Sequence, residues 1–282
     1  MNFYNQLYFS IILVIGGILV GCKSNPERES VSEKEIISTE KESPEDEDPN
    51  IEWKLWPIDT SISYVTGDFD PAQDTVFTLI DTSKADRPGL YLRKDTYRAF
   101  LAMDSAAREE GVFLQIRSAT RNFDYQKSIW ERKWKGESPI ENGEILSETT
   151  PDPVERALKI LRYSSMPGSS RHHWGTDIDL NNFSNKYFES GEGLVIYKWL
   201  KENGPKYGFK QPYTEKGEDR PDGYNEEKWH WSFYPVSDVL TQYAAEHLKN
   251  EMIKGFLGSE TAPEIDIVEK YVLGLNPELL PK

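Results

Sequence analysis

Apolar residues recur along this chain at two spacings, and the alternation between them outlines the fold. Tyr97, Phe100, Leu101 and Ala107 fall on one face at helical spacing. They predict a helix over 96–110, with Asp95 as N-cap and Gly111 as its stop. Val112, Leu114 and Ile116 then alternate, which predicts a strand over 112–118. Asp124 is placed to cap a helix running to about Lys135, and residues 136–150 are polar and loop-like. Asp152-Pro153 is a good helix start, and Val154, Ala157, Leu158 and Leu161 carry that helix to about Tyr163. Pro167-Gly168 marks 164–170 as a loop. Over 176–180 the chain alternates again, with Asp177 and Asp179 on one face and Thr176, Ile178 and Leu180 on the other. A helix over 194–203 is stopped by Gly204-Pro205. A second strand over 228–234 sets His230 and Ser232 opposite Trp229, Trp231 and Phe233. Residues 236–256 carry the pattern of one long amphipathic helix, and the end of the chain, with Pro277 and Pro281, is expected to pack loosely. Helices and strands are interleaved, yet no glycine-rich phosphate loop follows a strand. The expected class is therefore α+β, a small antiparallel sheet flanked by helices, and not a doubly wound sheet.

The first fifty residues break these patterns. From Leu7 to Val20 the chain is almost wholly apolar, a length suited to the core of a signal peptide and short for a membrane span. It ends in Leu19, Val20, Gly21 and Cys22, which resembles the lipobox of bacterial lipoproteins. That resemblance implies a signal peptide over 1–21 and a lipid on Cys22, although no Lys or Arg precedes the apolar run; the alternative is an uncleaved anchor helix. Residues 22–50 read as an acidic, disordered tether, rich in Glu, Ser, Lys and Pro and free of aromatics. Order is expected from Ile51 and Trp53 onward, giving a domain over 51–258 and a tail over 259–282. The implied location is the bacterial cell envelope, lipid-anchored to a membrane and facing the periplasm. The formal net charge is −15, of which −7 falls between Glu27 and Asp48. Such a balance argues against a nucleic-acid partner, which would need a basic face. Cys22 is the only cysteine, so the domain holds neither a disulfide nor a thiolate metal ligand nor a thiol nucleophile.

Metal ligands are thereby narrowed to His, Asp and Glu, and here the chain is concentrated. It has four histidines, and three of them stand in two short runs with acids: His172 and His173 before Asp177 and Asp179, and His230 three residues after Glu227. Two histidines and one aspartate suit a zinc ion that keeps a fourth position for water, with a spare glutamate to deprotonate that water. His172, Asp179 and His230 are the candidate ligands, held by a loop and two strands that could pair. Residues three apart on a regular strand face opposite ways, so Glu227 reaches the same site only if the backbone turns at the strand entrance. Adjacent histidines diverge on an extended backbone, which leaves His173 behind the site or at the surface. His247, in the late helix, reads as structural. Asp177 shares a face with Asp179; it could orient a metal-bound histidine, bind a substrate amine, or be a polar residue at a strand edge.

These residues resemble the zinc D-alanyl-D-alanine carboxypeptidase family, the VanY-like and VanX-like peptidases. The family pattern is Ser-x-His, x-x-Gly, x-Ala-x-Asp and, later, Glu-x-Trp-His. Ser170, His172, Gly175 and Asp179 match it, followed by Glu227, Trp229 and His230, with Asp177 standing in place of the usual Ala. An earlier element, a strand followed by Ser-x-x-Arg and then Gln, is matched by Ser118, Arg121 and Gln126, with Thr120 in place of the usual aromatic. The resemblance covers roughly residues 85–235. It implies zinc held by His172, Asp179 and His230, Glu227 as catalytic base, and Arg121 steadying the scissile carbonyl or a substrate carboxylate. Ser118, Gln126, Ser170 and Asp177 are then candidate substrate contacts. The implied substrate is a peptidoglycan stem peptide cut at its terminal D-Ala-D-Ala bond. Related endopeptidases cut inside the stem with the same ligands, and a wall-binding lipoprotein that kept the site without activity is the reading outside enzymes.

Overall fold

The computed structural model describes residues 53–280; Cys22 and the apolar and acidic stretches before Ile51 lie outside the described residues. In chain order the elements are α1 (Ile62–Val65), β1 (Phe77–Leu79), β2 (Tyr91–Arg93), α2 (Lys94–Glu109), β3 (Ile116–Ser118) and α3 (Phe123–Trp134). Then follow α4 (Leu146–Thr149), α5 (Pro153–Ile160), β4 (Asp177–Leu180), α6 (Gly191–Asn203), β5 (Phe209–Lys210), β6 (His230–Phe233), α7 (Tyr234–His247) and α8 (Ala262–Ile265). β1 and β2 form an antiparallel hairpin. The main sheet is antiparallel throughout, in the order β3-β4-β6-β5. The class is the expected one: mixed helices around a small antiparallel sheet.

The central pair decides where the chemistry falls. Every residue of β4 and β6 is buried, so both faces of the sheet are covered. One face of β4 carries Ile178 and Leu180 into the apolar core; the other carries Asp177 and Asp179. Asp179 pairs in register with His230, Asp177 with Ser232, and Ser118 of β3 lies opposite Asp179. Ser118, Asp179 and His230 therefore form a row across three strands.

Several boundaries differ from expectation, each for a local reason. The helix after β2 starts at Lys94 with Arg93 at its N-cap; Asp95 does not cap it. Both Asp95 oxygens are taken instead by a fully buried Arg93, at 3.1 and 2.8 Å. The Arg93 guanidinium also holds the carbonyls of Trp56 and Pro57, which pins the first described segment to the domain. The buried stripe of α2 is Ala99, Phe100, Met103 and Ala107, whereas Leu101 is exposed. α3 is capped by Asn122, whose side chain accepts from the Tyr125 N–H at 3.0 Å, and Asp124 sits in the first turn. β3 is shorter than predicted: the Phe113 carbonyl is bonded by the Asn181 side chain, and only Ile116–Ser118 joins the ladder. Residues 136–150 are not merely loop, since α4 buries Leu146 there. The long final helix ends at His247, because Leu248 turns extended. The tail is not loose. Ile265, Val272, Leu275 and Leu279 are buried, and the Asn276 N–H donates to the Pro212 carbonyl at 2.8 Å. Residues 259–280 thus belong to the same core as the sheet.

Candidate metal centre

His172 is presented by a single turn of 3-10 helix, Arg171–Trp174, closed by Gly175 in the left-handed region at φ 71°. A side chain at Gly175 would also run into Phe77 and Arg93, so glycine is required here twice over. His172 Nδ1 donates to the Ala119 carbonyl at 2.8 Å, which leaves Nε2 as the free acceptor nitrogen. That nitrogen is buried, has no hydrogen-bond partner, and lies 3.3 Å from Asp179 Oδ2. Asp179 Oδ1 is likewise buried and without a hydrogen-bond partner, 3.5 Å from His230 Nδ1.

A ligand set can be tested on this geometry. One donor atom from each of His172, Asp179 and His230 falls within 4.8 Å of the others, and all three residues are buried. Donors around one tetrahedral zinc at ~2.1 Å stand roughly 3.4 Å apart. The 3.5 Å between Asp179 Oδ1 and His230 Nδ1 suits that arrangement, and the other Asp179 oxygen, Oδ2, stands 3.3 Å from His172 Nε2. Buried polar atoms without partners are uncommon in folded proteins and ask for an explanation. A divalent ion held by His172, Asp179 and His230 would supply one. The residues therefore fit zinc, and the fit rests on the unpaired His172 Nε2 and Asp179 Oδ1.

Glu227 reaches this cluster as the turn requirement demanded. The His230 N–H donates to the Glu227 carbonyl at 3.2 Å, a tight turn just before β6. The turn folds the Glu227 carboxylate back until Oε2 is 2.9 Å from His230 Nδ1. Burial pushes the Glu227 carboxyl up, which makes it a stronger base than an exposed glutamate. Burial alone would push His230 down, but hydrogen bonds to Asp177 and Glu227 raise it to about 9. Burial likewise opposes the charge on Asp179, yet the neighbouring His172 helps hold it at about 2. His172 is lowered, first by burial and then by the Arg121 charge. Arg121 follows β3 and donates from one guanidinium nitrogen to Ser118 Oγ at 2.9 Å; the same nitrogen lies 3.6 Å from Asp179 Oδ2. Its backbone is fixed from both sides: its N–H donates to the His172 carbonyl, and its carbonyl accepts from His173 Nδ1 at 2.5 Å.

The structure brings Arg121, His172, Asp179, Glu227 and His230 to the wall of one cleft of about 520 Å³. The other four sequence candidates stand behind it. Ser118 holds Arg121. Gln126 Nε2 donates to the Ser165 carbonyl at 2.8 Å and so sets the 164–165 segment, which does line the cleft. Ser170 is buried beside His172 with an unpaired hydroxyl. Asp177 is fully buried, two residues along β4 from Asp179. It accepts from Arg171 Nε at 3.1 Å and from Ser232 Oγ at 2.9 Å, and its Oδ1 lies 2.9 Å from His230 Nε2. Asp177 is therefore placed to orient a histidine and not to meet a substrate amine; its own core of polar partners excludes that reading. His173 is buried, not at the surface, and its Nε2 accepts from the Gly168 N–H at 3.0 Å. His247 is exposed at the end of α7, its ring tilted against that of Tyr243. The cleft also holds residues that sequence reasoning passed over: Lys133, Tyr213, Tyr224 and, packed beside the motif residue Trp229, Tyr163 and Phe183. Nothing local in the sequence marks them, because they come from four separate segments.

Comparison with known proteins agrees with the region this geometry picks out. The sequence model of the VanY D-alanyl-D-alanine carboxypeptidase family matches residues 89–236, just over half of the 282-residue chain. Among curated proteins, the chain is 32% identical over 145 residues to the putative carboxypeptidase YodJ of Bacillus subtilis strain 168, covering 50% of this chain and 45% of that protein. The chain thus spans about half the length of this relative. Among solved structures, VanYB in complex with D-alanine-D-alanine is similar at a TM-score of 0.43 and 22% identity, over 61% of this chain and 86% of that one. A VanY D,D-pentapeptidase from a VanB-type resistance cassette, in complex with Zn(II), is similar at a TM-score of 0.42 and 22% identity, over 65% and 93%.

Proposed function

The chain belongs to the VanY D-alanyl-D-alanine carboxypeptidase family, and on that premise we propose that it is a zinc-dependent peptidase that removes the terminal D-alanine from peptidoglycan stem peptides. His172, Asp179 and His230 would hold the zinc. A zinc ion in such a triad acts as a Lewis acid, making water more acidic and polarising a carbonyl. Glu227 accepts the proton of the attacking water, a role suited to a carboxylate made more basic by burial. It returns that proton to the leaving amine as the C–N bond breaks. Arg121, whose charge is permanent and whose donors form a planar fork, stabilises the oxyanion of the tetrahedral intermediate. The resemblance of Leu19 to Cys22 to a lipobox extends the proposal to a lipid-anchored enzyme working beside the wall.

The observation that carries this reading is the pair of buried, unpaired donor atoms, His172 Nε2 and Asp179 Oδ1, beside a glutamate turned toward the same point. Glu227→Gln tests it. The variant should keep stoichiometric zinc and lose at least about a thousandfold in turnover on a peptide ending in D-Ala-D-Ala, in line with the loss of a general base and its electrostatics. Wild-type turnover in that variant would overturn the mechanism. Product masses from purified muropeptides settle the bond: loss of one alanine supports the proposal, and an internal cut replaces it with an endopeptidase.

A further inference from the structure

One charged group in the cleft has no role in the mechanism above. Lys133, in the last turn of α3, lines the cleft together with Arg121 and Glu227. It is half-buried, and burial pushes its ammonium below the usual lysine range, with the Arg121 charge acting the same way. Its hydrogen-bond partner among the described residues is the neutral hydroxyl of Ser164.

The acids that could neutralise Lys133 are all engaged elsewhere. Glu141, on the same cleft wall, pairs with Arg162 at 3.0 Å. Asp179 faces His172, His230 and Arg121. Glu227 faces His230. No carboxylate among the described residues lies within ion-pair distance of Lys133. A partly desolvated cation without a counter-ion opposes folding, since burial of an unpaired charge is unfavourable. In a cleft such a charge is complementary to an anionic ligand group. Lys133 is also near enough to Arg121 and Glu227 for their charges to act on it. In an extended peptide the next carboxyl lies one residue, about 3.5 Å of chain, beyond a scissile bond. A free C-terminal carboxylate is thus the anion that a bound substrate would bring into this neighbourhood.

We propose that Lys133, with the Ser164 hydroxyl, forms a carboxylate-binding subsite that recognises the free C-terminus of the peptide substrate. This rests on the peptidase reading above and deepens it: the subsite selects chain ends over internal bonds. Lys133 acts as a specificity-determining contact, separate from the proton transfers at Glu227.

The test compares two ligands, a stem peptide ending in D-Ala-D-Ala as free acid and the same peptide amidated at its C-terminus. Binding is measured by calorimetry on the zinc-loaded Glu227→Gln protein, with and without Lys133→Met, and hydrolysis on the parent and Lys133→Met proteins. The acid is expected to bind about 10- to 100-fold tighter than the amide when Lys133 is present, the size of a charge-assisted hydrogen bond. Lys133→Met should bring the acid down to the level of the amide and leave the amide unchanged. In hydrolysis the loss should appear mainly in KM. Lys133→Arg should restore part of the preference, and the Lys133→Met melting midpoint should not fall, because an unpaired buried charge has been removed. Equal loss for acid and amide, or an unchanged acid preference, would overturn the subsite. Binding with the Lys133-dependent preference but no hydrolysis by the parent protein would sink the peptidase proposal and leave the subsite standing.

Discussion

Two regions of this molecule use the same residue types to opposite ends. Away from the cleft, Asp177 and His173 have their polar atoms occupied. Asp177 is bonded by Arg171, Ser232 and Thr176 and touches His230, and Arg171 is in turn satisfied by Thr241 and Ser232 and stacked over Trp174. His173 has one ring nitrogen on the Arg121 carbonyl and the other on the Gly168 N–H. On the cleft side, two residues along the strand and one along the turn, Asp179 and His172 each keep a buried atom without a partner. The difference teaches which buried polar groups are scaffold. A network with every atom paired rigidifies a fold, whereas unpaired buried donors are unfavourable unless a ligand completes them.

The contrast breaks most visibly at its open end. Asp179→Ala should remove stoichiometric zinc and all measurable turnover, because one of three ligands is gone. Metal analysis after dialysis is the check. Asp177→Ala should have a smaller effect on the metal, a roughly 10- to 100-fold loss of zinc affinity by chelator competition, as is typical for a group that orients a ligand. If Asp177→Ala emptied the protein of zinc as completely as Asp179→Ala, the division between scaffold and ligand would be wrong. Asp177→Ala should also destabilise the fold by about 3–5 kcal/mol, because Arg171 is left buried and unpaired. The double change Arg171→Met with Asp177→Ala should recover most of that stability in denaturant titration while zinc affinity stays low. Recovery of both together would mean that Asp177 acts on the metal only through the fold.

How much of this was legible in the sequence follows the same line. The stripe of Phe100 and Ala107 and the alternation around Ile178 are local, and they located a helix and a strand that exist. His172, Asp179, Glu227 and His230 were legible because short runs in a histidine-poor chain fix their spacing. Element ends were not. Asp95 has a cap's chemistry, but Arg93, two residues away, claims both its oxygens. No Gly or Pro interrupts the chain between His247 and Lys254, so the end of α7 at His247 left no mark. Leu275 and Leu279 looked like a loose tail between prolines, yet the Pro212 segment they pack beside is more than sixty residues away in sequence. Asp177 was ambiguous because its role is decided by Arg171, Ser232 and His230, the last two from another strand. Lys133 was invisible because its lack of a counter-ion is a property of the assembled cleft.

The smallest effect concerns the closed histidine. His173 donates from Nδ1 and accepts at Nε2, so it is built in as the neutral ring, and burial pushes its pKa down to about 3. In the unfolded chain a histidine takes its proton near 6.5. The unfolded state therefore binds more protons between those values, and stability must fall as pH falls from about 6.5 toward 3. The slope from this residue is at most about 1.4 kcal/mol per pH unit. His172, also lowered, contributes with the same sign below the usual histidine value, whereas His230, raised to about 9, contributes stability that is lost as pH rises through that value. The difference between parent and His173→Gln isolates His173, measured by denaturant unfolding of zinc-free protein between pH 6.5 and 4.5. The variant should be less stable at pH 6.5 but should lose less stability on acidification. Parallel curves would mean that His173 is not held neutral by its two bonds, and the closed region would then be less closed than its hydrogen bonds imply.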